Sequence, residues 1–140
     1  MSSFHLTILT PEHTFFEGDV QALRFPTVDG LYGVLAGHQP EVVILVEGAL
    51  KITIDGGERE AAASDGFVTI LPESVTVILQ TVEWPEDIDR RRAEDARREA
   101  EEALRQQQSQ REFVLARSML ARAMVRLRVA RGSVNDDAQD

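Results

Sequence analysis

Helix breakers divide this chain in two. Gly and Pro recur from the start as far as Pro85, and no proline follows it. Before that point apolar residues tend to alternate with polar ones, the period of a strand with one buried face. Beyond it they recur every three or four positions, the period of a helix. A β half and an α half therefore meet at Glu83-Trp84-Pro85-Glu86-Asp87. The expected organisation is a β-sandwich over residues 1–84, a helical hairpin over 85–132, and an acidic, disordered tail over 133–140.

In the first half, strands are read at Phe4–Leu9, His13–Phe16, Val20–Phe25, Leu31–Leu35, Val42–Val46, Leu50–Ile54, Phe67–Leu71 and Val75–Val82. Glu17-Gly18-Asp19 separates the second from the third. Asp29-Gly30 supplies turn chemistry, and Ala36-Gly37-His38-Gln39-Pro40 reads as a rigid exposed loop. A Gly56-Gly57 hairpin turn follows Ile54. Eight to ten short strands with frequent turns imply an antiparallel sandwich or flattened barrel. Phe67–Leu71 and Val75–Val82 are apolar on both sides. That fits a central strand of a small sandwich, or an outer face docked on another protein.

In the second half, Pro85 suits a first helical turn, and Glu86, Asp87 and Asp89 put negative charge at the positive end of its dipole. Ala93, Ala96, Ala100, Ala103 and Leu104 form one stripe. After a break at Gln106-Gln107-Gln108-Ser109, Phe113, Ala116, Leu120, Ala123, Leu127 and Ala130 form another. Two stripes and a short link predict an antiparallel hairpin, closed by Gly132. Val114, Leu115, Met119, Ala121, Met124, Val125 and Val129 lie off the second stripe and need another cover, from the sandwich, from a different protein, or from each in turn.

Charge narrows the function. The net charge is -9, and residues 1–84 alone hold twelve acids and three bases. Nucleic-acid binding by the whole chain is excluded on that ground. Residues 110–131 hold six arginines and one acid, so the last helix suits an acidic partner. There is no cysteine, and His5, His13 and His38 fit no metal spacing, so no metal site is expected. Met1-Ser2-Ser3-Phe4 has no signal-peptide character, and no apolar run is long enough for a membrane span. Neither a Gly-rich phosphate loop opening a helix nor a Ser-His-acid pattern is present. No catalytic residue is therefore assigned.

The order and spacing of several short motifs resemble the epsilon subunit of bacterial F-type ATP synthases. They are Thr10-Pro11, Pro26-Thr27-x-Asp29-Gly30-x-x-Gly33-Val34-Leu35-x-Gly37-His38-x-Pro40, Ser64-x-Gly66-Phe67, Ile88-Asp89-x-x-Arg92-Ala93, and Arg122-Ala123-x-x-Arg126-Leu127-x-Val129-Ala130. The resemblance spans residues 3 to about 131. The departures are Ala36 in place of a usual Pro, Asp65 in place of a frequent Gly, Trp84-Pro85 before the helix, and the acidic tail.

The resemblance implies a non-catalytic rotor subunit, peripheral on the cytoplasmic side of the cell membrane. Its sandwich would bind the gamma subunit and rest on the ring of c subunits through the end bearing Asp29, Tyr32 and His38. Its hairpin would fold beside the sandwich or extend toward the alpha and beta subunits and block ATP hydrolysis. It also implies a regulatory ATP site at Ile88, Asp89, Arg92, Arg122 and Arg126, with no cofactor required. Asp89 with Arg92 and Arg122 with Arg126 have the spacing of neighbours on a helix face, and grouped guanidiniums suit a polyphosphate. The plainer reading is a local ion pair and solvated arginines, contributing ~0–1 kcal/mol. The alternatives are a sandwich with an interior ligand, which would need polar groups pointing inward, and a stand-alone nucleotide-binding sensor module.

Overall fold

A computed structural model describes residues 2–106 and 110–139, with residues 110 and 133–139 described by their backbone alone. The chain forms two compact units that divide after Glu83. The first is a sandwich of two five-stranded sheets. One has the order β2 (Thr14–Val20), β1 (Phe4–Leu9), β9 (Ser74–Leu79), β8 (Gly66–Ile70), β5 (Glu41–Leu45). The other has the order β10 (Val82–Glu83), β7 (Gly57–Ala63), β6 (Gly48–Ile54), β3 (Ala22–Thr27), β4 (Gly30–Leu35). All pairs are antiparallel except β1 with β9, which run parallel from His5↔Ser74 to Leu9↔Ile78.

The core follows from strand alternation. Phe4, Leu6 and Ile8 of β1 and Val75, Val77 and Leu79 of β9 face Leu23 and Phe25 of β3 and Leu50 and Ile52 of β6, all buried. Each such side chain contributes about 1.5–3 kcal/mol when taken out of water. The inward positions are apolar, as an interior-ligand barrel would not be.

Four local readings are corrected. Glu17-Gly18-Asp19 is not a break: β2 runs through it, with Gly18 opposite Leu6. Gly18 keeps an ordinary φ, so it continues the strand, and the chain bends at Gln21 as it passes from one sheet to the other. The hairpin turn is Asp55-Gly56 and not Gly56-Gly57. Both turn residues have positive φ (50° and 79°), and Ile54 pairs with Gly57. That is the backbone a two-residue hairpin needs. β7 was not anticipated as a strand. The Val75–Val82 strand is interrupted at Gln80-Thr81, whose amides both donate to Ser64 Oγ (3.2 and 3.1 Å). This Ser64 is buried, which accounts for a hydroxyl at that place.

The second unit opens with a 3₁₀ turn at Pro85–Asp87, followed by α1 (Arg90–Gln106) and α2 (Gln110–Gln139). Pro85 therefore starts a separate turn rather than the helix. Ile88 is extended (φ -79°, ψ 122°) and interrupts the path. Asp89 then caps α1: its Oδ1 accepts from the Arg92 N–H (3.1 Å) and its carbonyl from the Ala93 N–H (3.0 Å). The helices pack along each other as a hairpin, with Ala93 and Ala100 of α1 and Ala116, Ala123 and Ala130 of α2 buried. Small side chains on both stripes let the backbones approach closely. Gly132 does not close α2. It is not among the glycines with positive φ, and the helix continues to Gln139 where the sequence suggested a disordered tail. Gln107-Gln108-Ser109, most of the expected break, and Asp140 lie outside the described residues.

Candidate functional site

Three surfaces bear on function. The first is in the hairpin unit. Ile88 is buried, while Asp89, Arg92 and Arg122 are exposed and Arg126 is half-buried. The 3₁₀ turn packs on α2, and the helices are antiparallel. The Asp89–Arg92 segment therefore lies at the same end of the hairpin as the turn of α2 carrying Arg122 and Arg126. Asp89 is not the ion-pair partner of Arg92 that spacing suggested. Its carboxylate accepts from the Arg92 backbone N–H, a capping role. Arg122 and Arg126 each already have an interaction partner.

The second surface is the open side of the sandwich, where edge strand β4 of one sheet leads into edge strand β5 of the other. Tyr32 stacks on Phe25 (centroids 5.5 Å apart), donates its hydroxyl proton to Glu41 Oε2, and lies 3.2 Å from His38 Nε2. His38 Nδ1 is 2.9 Å from the Gln39 carbonyl. The Glu41 bond raises the Tyr32 pKa, because ionising the phenol would remove the donated proton and oppose two negative charges. The structure thus brings Tyr32 and His38 together and adds Glu41, which sequence reasoning missed. Asp29 sits apart in the β3–β4 turn, its N–H donating to Thr27 Oγ1 (3.2 Å).

The third surface is the outer face of the β5–β8–β9 sheet. Ile44, Phe67 and Ile78 lie in one register row, with Val42 beside them on β5. They remain 71, 45, 38 and 68 % exposed. β9 is the central strand of its sheet, the first of the two readings, and on its outer face Ile78 follows Ser74 and Thr76. Contiguous exposed apolar rows of this kind mark contact surfaces.

Residues 3–85 match the family described as ATP synthase, Delta/Epsilon chain, beta-sandwich domain, and residues 86–131 match ATP synthase, Delta/Epsilon chain, long alpha-helix domain. The chain belongs to the ATP synthase epsilon chain family. An ATP synthase epsilon chain of Ruminococcus albus is 44% identical over 131 residues, covering 93% of this chain and 98% of that one. Another, of Ruminiclostridium cellulolyticum, is 42% identical over 127 residues, covering 91% and 95%. Among solved structures, a chain of the Euglena gracilis mitochondrial ATP synthase (OSCP/F1/c-ring) has a similar fold, with a TM-score of 0.79 at 23% identity. That match covers 93% of this chain and 82% of the other. A chain from the central stalk/c-ring structure of the Tetrahymena thermophila enzyme gives 0.64 at 12%, covering 92% and 97%. Among the described residues of this epsilon-family chain, no helix is long and apolar enough to cross a membrane, and no cluster of potential metal ligands is present.

Proposed function

We propose that this chain is a non-catalytic central-stalk subunit of an F-type ATP synthase, held at the membrane by its complex. In this role it couples ion translocation to ATP synthesis. The carrying observation is the family match across both units, over nearly the whole length of epsilon chains from bacteria. The exposed row Ile44, Phe67 and Ile78 supports a docking role for the sandwich, and gamma is its partner. The Tyr32–His38–Glu41 end is the surface that meets the c-ring, with Asp29 at the neighbouring turn. Gamma should retain the wild-type chain in a pull-down and lose it when Ile44 and Phe67 are both changed to Glu. Retention of the double variant would remove the docking face.

The hairpin extends toward the alpha and beta subunits and inhibits ATP hydrolysis. ATP favours its folded form by neutralising Arg92, Arg122 and Arg126, with Ile88 and Asp89 toward the base and ribose. Truncation of residues 86–140 should raise the ATPase activity of the assembled enzyme. Titration of the full chain with ATP should show binding that Arg126→Ala abolishes. A flat titration at millimolar ATP would remove the sensing role and leave the stalk role standing.

A further inference from the structure

Four arginines of α2, Arg122, Arg126, Arg128 and Arg131, fall into two pairs on opposite sides of the helix. At 3.6 residues per turn, Arg122 and Arg126 are separated by about 40° and Arg128 and Arg131 by about 60°, and the second pair lies roughly 180° from the first. The regulatory ATP site proposed above uses only the first pair. The second pair lines a cleft of about 400 Å³ along the seam between the helices, together with Glu94 and Arg97 of α1. Its apolar wall is Met124, Val125 and Leu127.

Charge in this cleft is unevenly matched. Arg97 holds both neighbouring carboxylates of its own helix: its Nε donates to Glu94 Oε1 (3.0 Å) and its NH1 to Glu101 Oε1 (3.4 Å). The Glu94 bond is the main reason the Arg97 pKa is raised. Glu94 and Glu101 are thereby occupied before they can cross to α2. Arg128 and Arg131 are exposed and form no ion pair with any of the described residues. Two like charges on adjacent turns repel, and Glu94, the acid lining the cleft, is already bonded to Arg97.

We propose that this cleft is a second anion site of the hairpin, taking a phosphorylated small molecule with an apolar or aromatic body. A guanidinium fork matches phosphate oxygens bidentately, and two forks call for more than the single charge of a carboxylate. The cleft volume falls within the ~300–1,000 Å³ range of small-ligand sites. Met124, 52 % exposed, and Val125 offer the apolar body a surface. Because the two arginine pairs face opposite ways, one ligand cannot engage both, and the sites are separable by mutation.

The test uses the full chain with Arg122→Gln and Arg126→Gln, which removes the first set and leaves the second. Calorimetry with pyrophosphate and with ADP should show saturable binding, ADP the tighter of the two because it adds the body. Adding Arg128→Gln and Arg131→Gln should weaken both by about tenfold or more, the scale of losing charge-assisted bonds. These arginines are exposed, and helix content by circular dichroism checks that the hairpin persists. Arg97→Gln, made separately, frees Glu94 and Glu101 to occupy the cleft and should also weaken binding. Absence of saturable binding before the second pair is changed, or affinity unaltered after it, overturns the proposal. The ATP site is read separately, on the chain carrying Arg128→Gln and Arg131→Gln, where ATP binding should persist and be lost on adding Arg126→Ala.

Discussion

Gly66 offers the sharpest test of how the sandwich is built. It opens β8 opposite Leu79 of β9. A Cβ at this position would stand 2.1 Å from the Ile78 carbonyl oxygen and 2.8 Å from Leu79 Cδ2. The leucine end can turn away, but the carbonyl belongs to backbone held by the β8–β9 register. Relief therefore requires the first pair of the ladder to open or β9 to shift in the middle of its sheet. Overpacking of this kind costs about 1–3 kcal/mol. For a unit of this size each kcal/mol lowers Tm by about 4–8 °C, so Gly66→Ala should melt roughly 5–20 °C below wild type. Gly33→Ala is the control. Nothing lies within 4 Å of a Cβ there and its φ is not positive, so its effect should stay within about ±0.5 kcal/mol. The assay is thermal and urea unfolding of the full chain, followed by the far-ultraviolet signal of the sheets. Equal melting of Gly66→Ala and wild type would refute the close-approach argument.

Two further outcomes follow from the sandwich. His5 Nε2 lies 3.1 Å from Glu17 Oε1 and Nδ1 lies 3.3 Å from Asp19 Oδ1. These bonds, Glu17 first, raise the imidazole pKa above its ordinary value. The contribution is fully present below about pH 6.5 and is lost as pH rises through the raised folded value. Wild type should therefore lose more stability than His5→Gln between roughly pH 6 and 8, and parallel pH profiles would count against the cluster. Ser64→Ala removes the acceptor for the Gln80 and Thr81 amides and should destabilise by about 1–3 kcal/mol in urea titrations, an unchanged midpoint counting against that role.

Much of this architecture could be read from periodicity. The paired apolar strands around Phe67 and Val77 stand where the spacing places them, and so do the two alanine-rich stripes except at Ala103, which is exposed. β7 escaped because Ala61, Ala62 and Ala63 are all buried, so its second half does not alternate, while Glu58-Arg59-Glu60 resembles a loop. Gly18 misled because a glycine between two acids looks like a turn, whereas here it only spaces Glu17 and Asp19 beneath His5. Within the candidate sites, the Ile88–Arg92 motif was visible, but the capping duty of Asp89 depends on Ile88 being extended and the helix starting late. Glu41 could not be found from sequence. Its bond to Tyr32 exists only because the edges of two different sheets meet there.

The parallel pairing of β1 with β9 governs how this domain can be made. His5 meets Ser74, so strands nearly seventy positions apart are immediate neighbours, and β1 has β2 on its other side. On the ribosome, the opening strand must wait for almost the entire sandwich to be synthesised before its second partner arrives. In the meantime β1 and β2 form a bare hairpin with Leu6 and Ile8 unshielded, the interval in which a nascent copy is most open to capture by a chaperone or by another nascent chain.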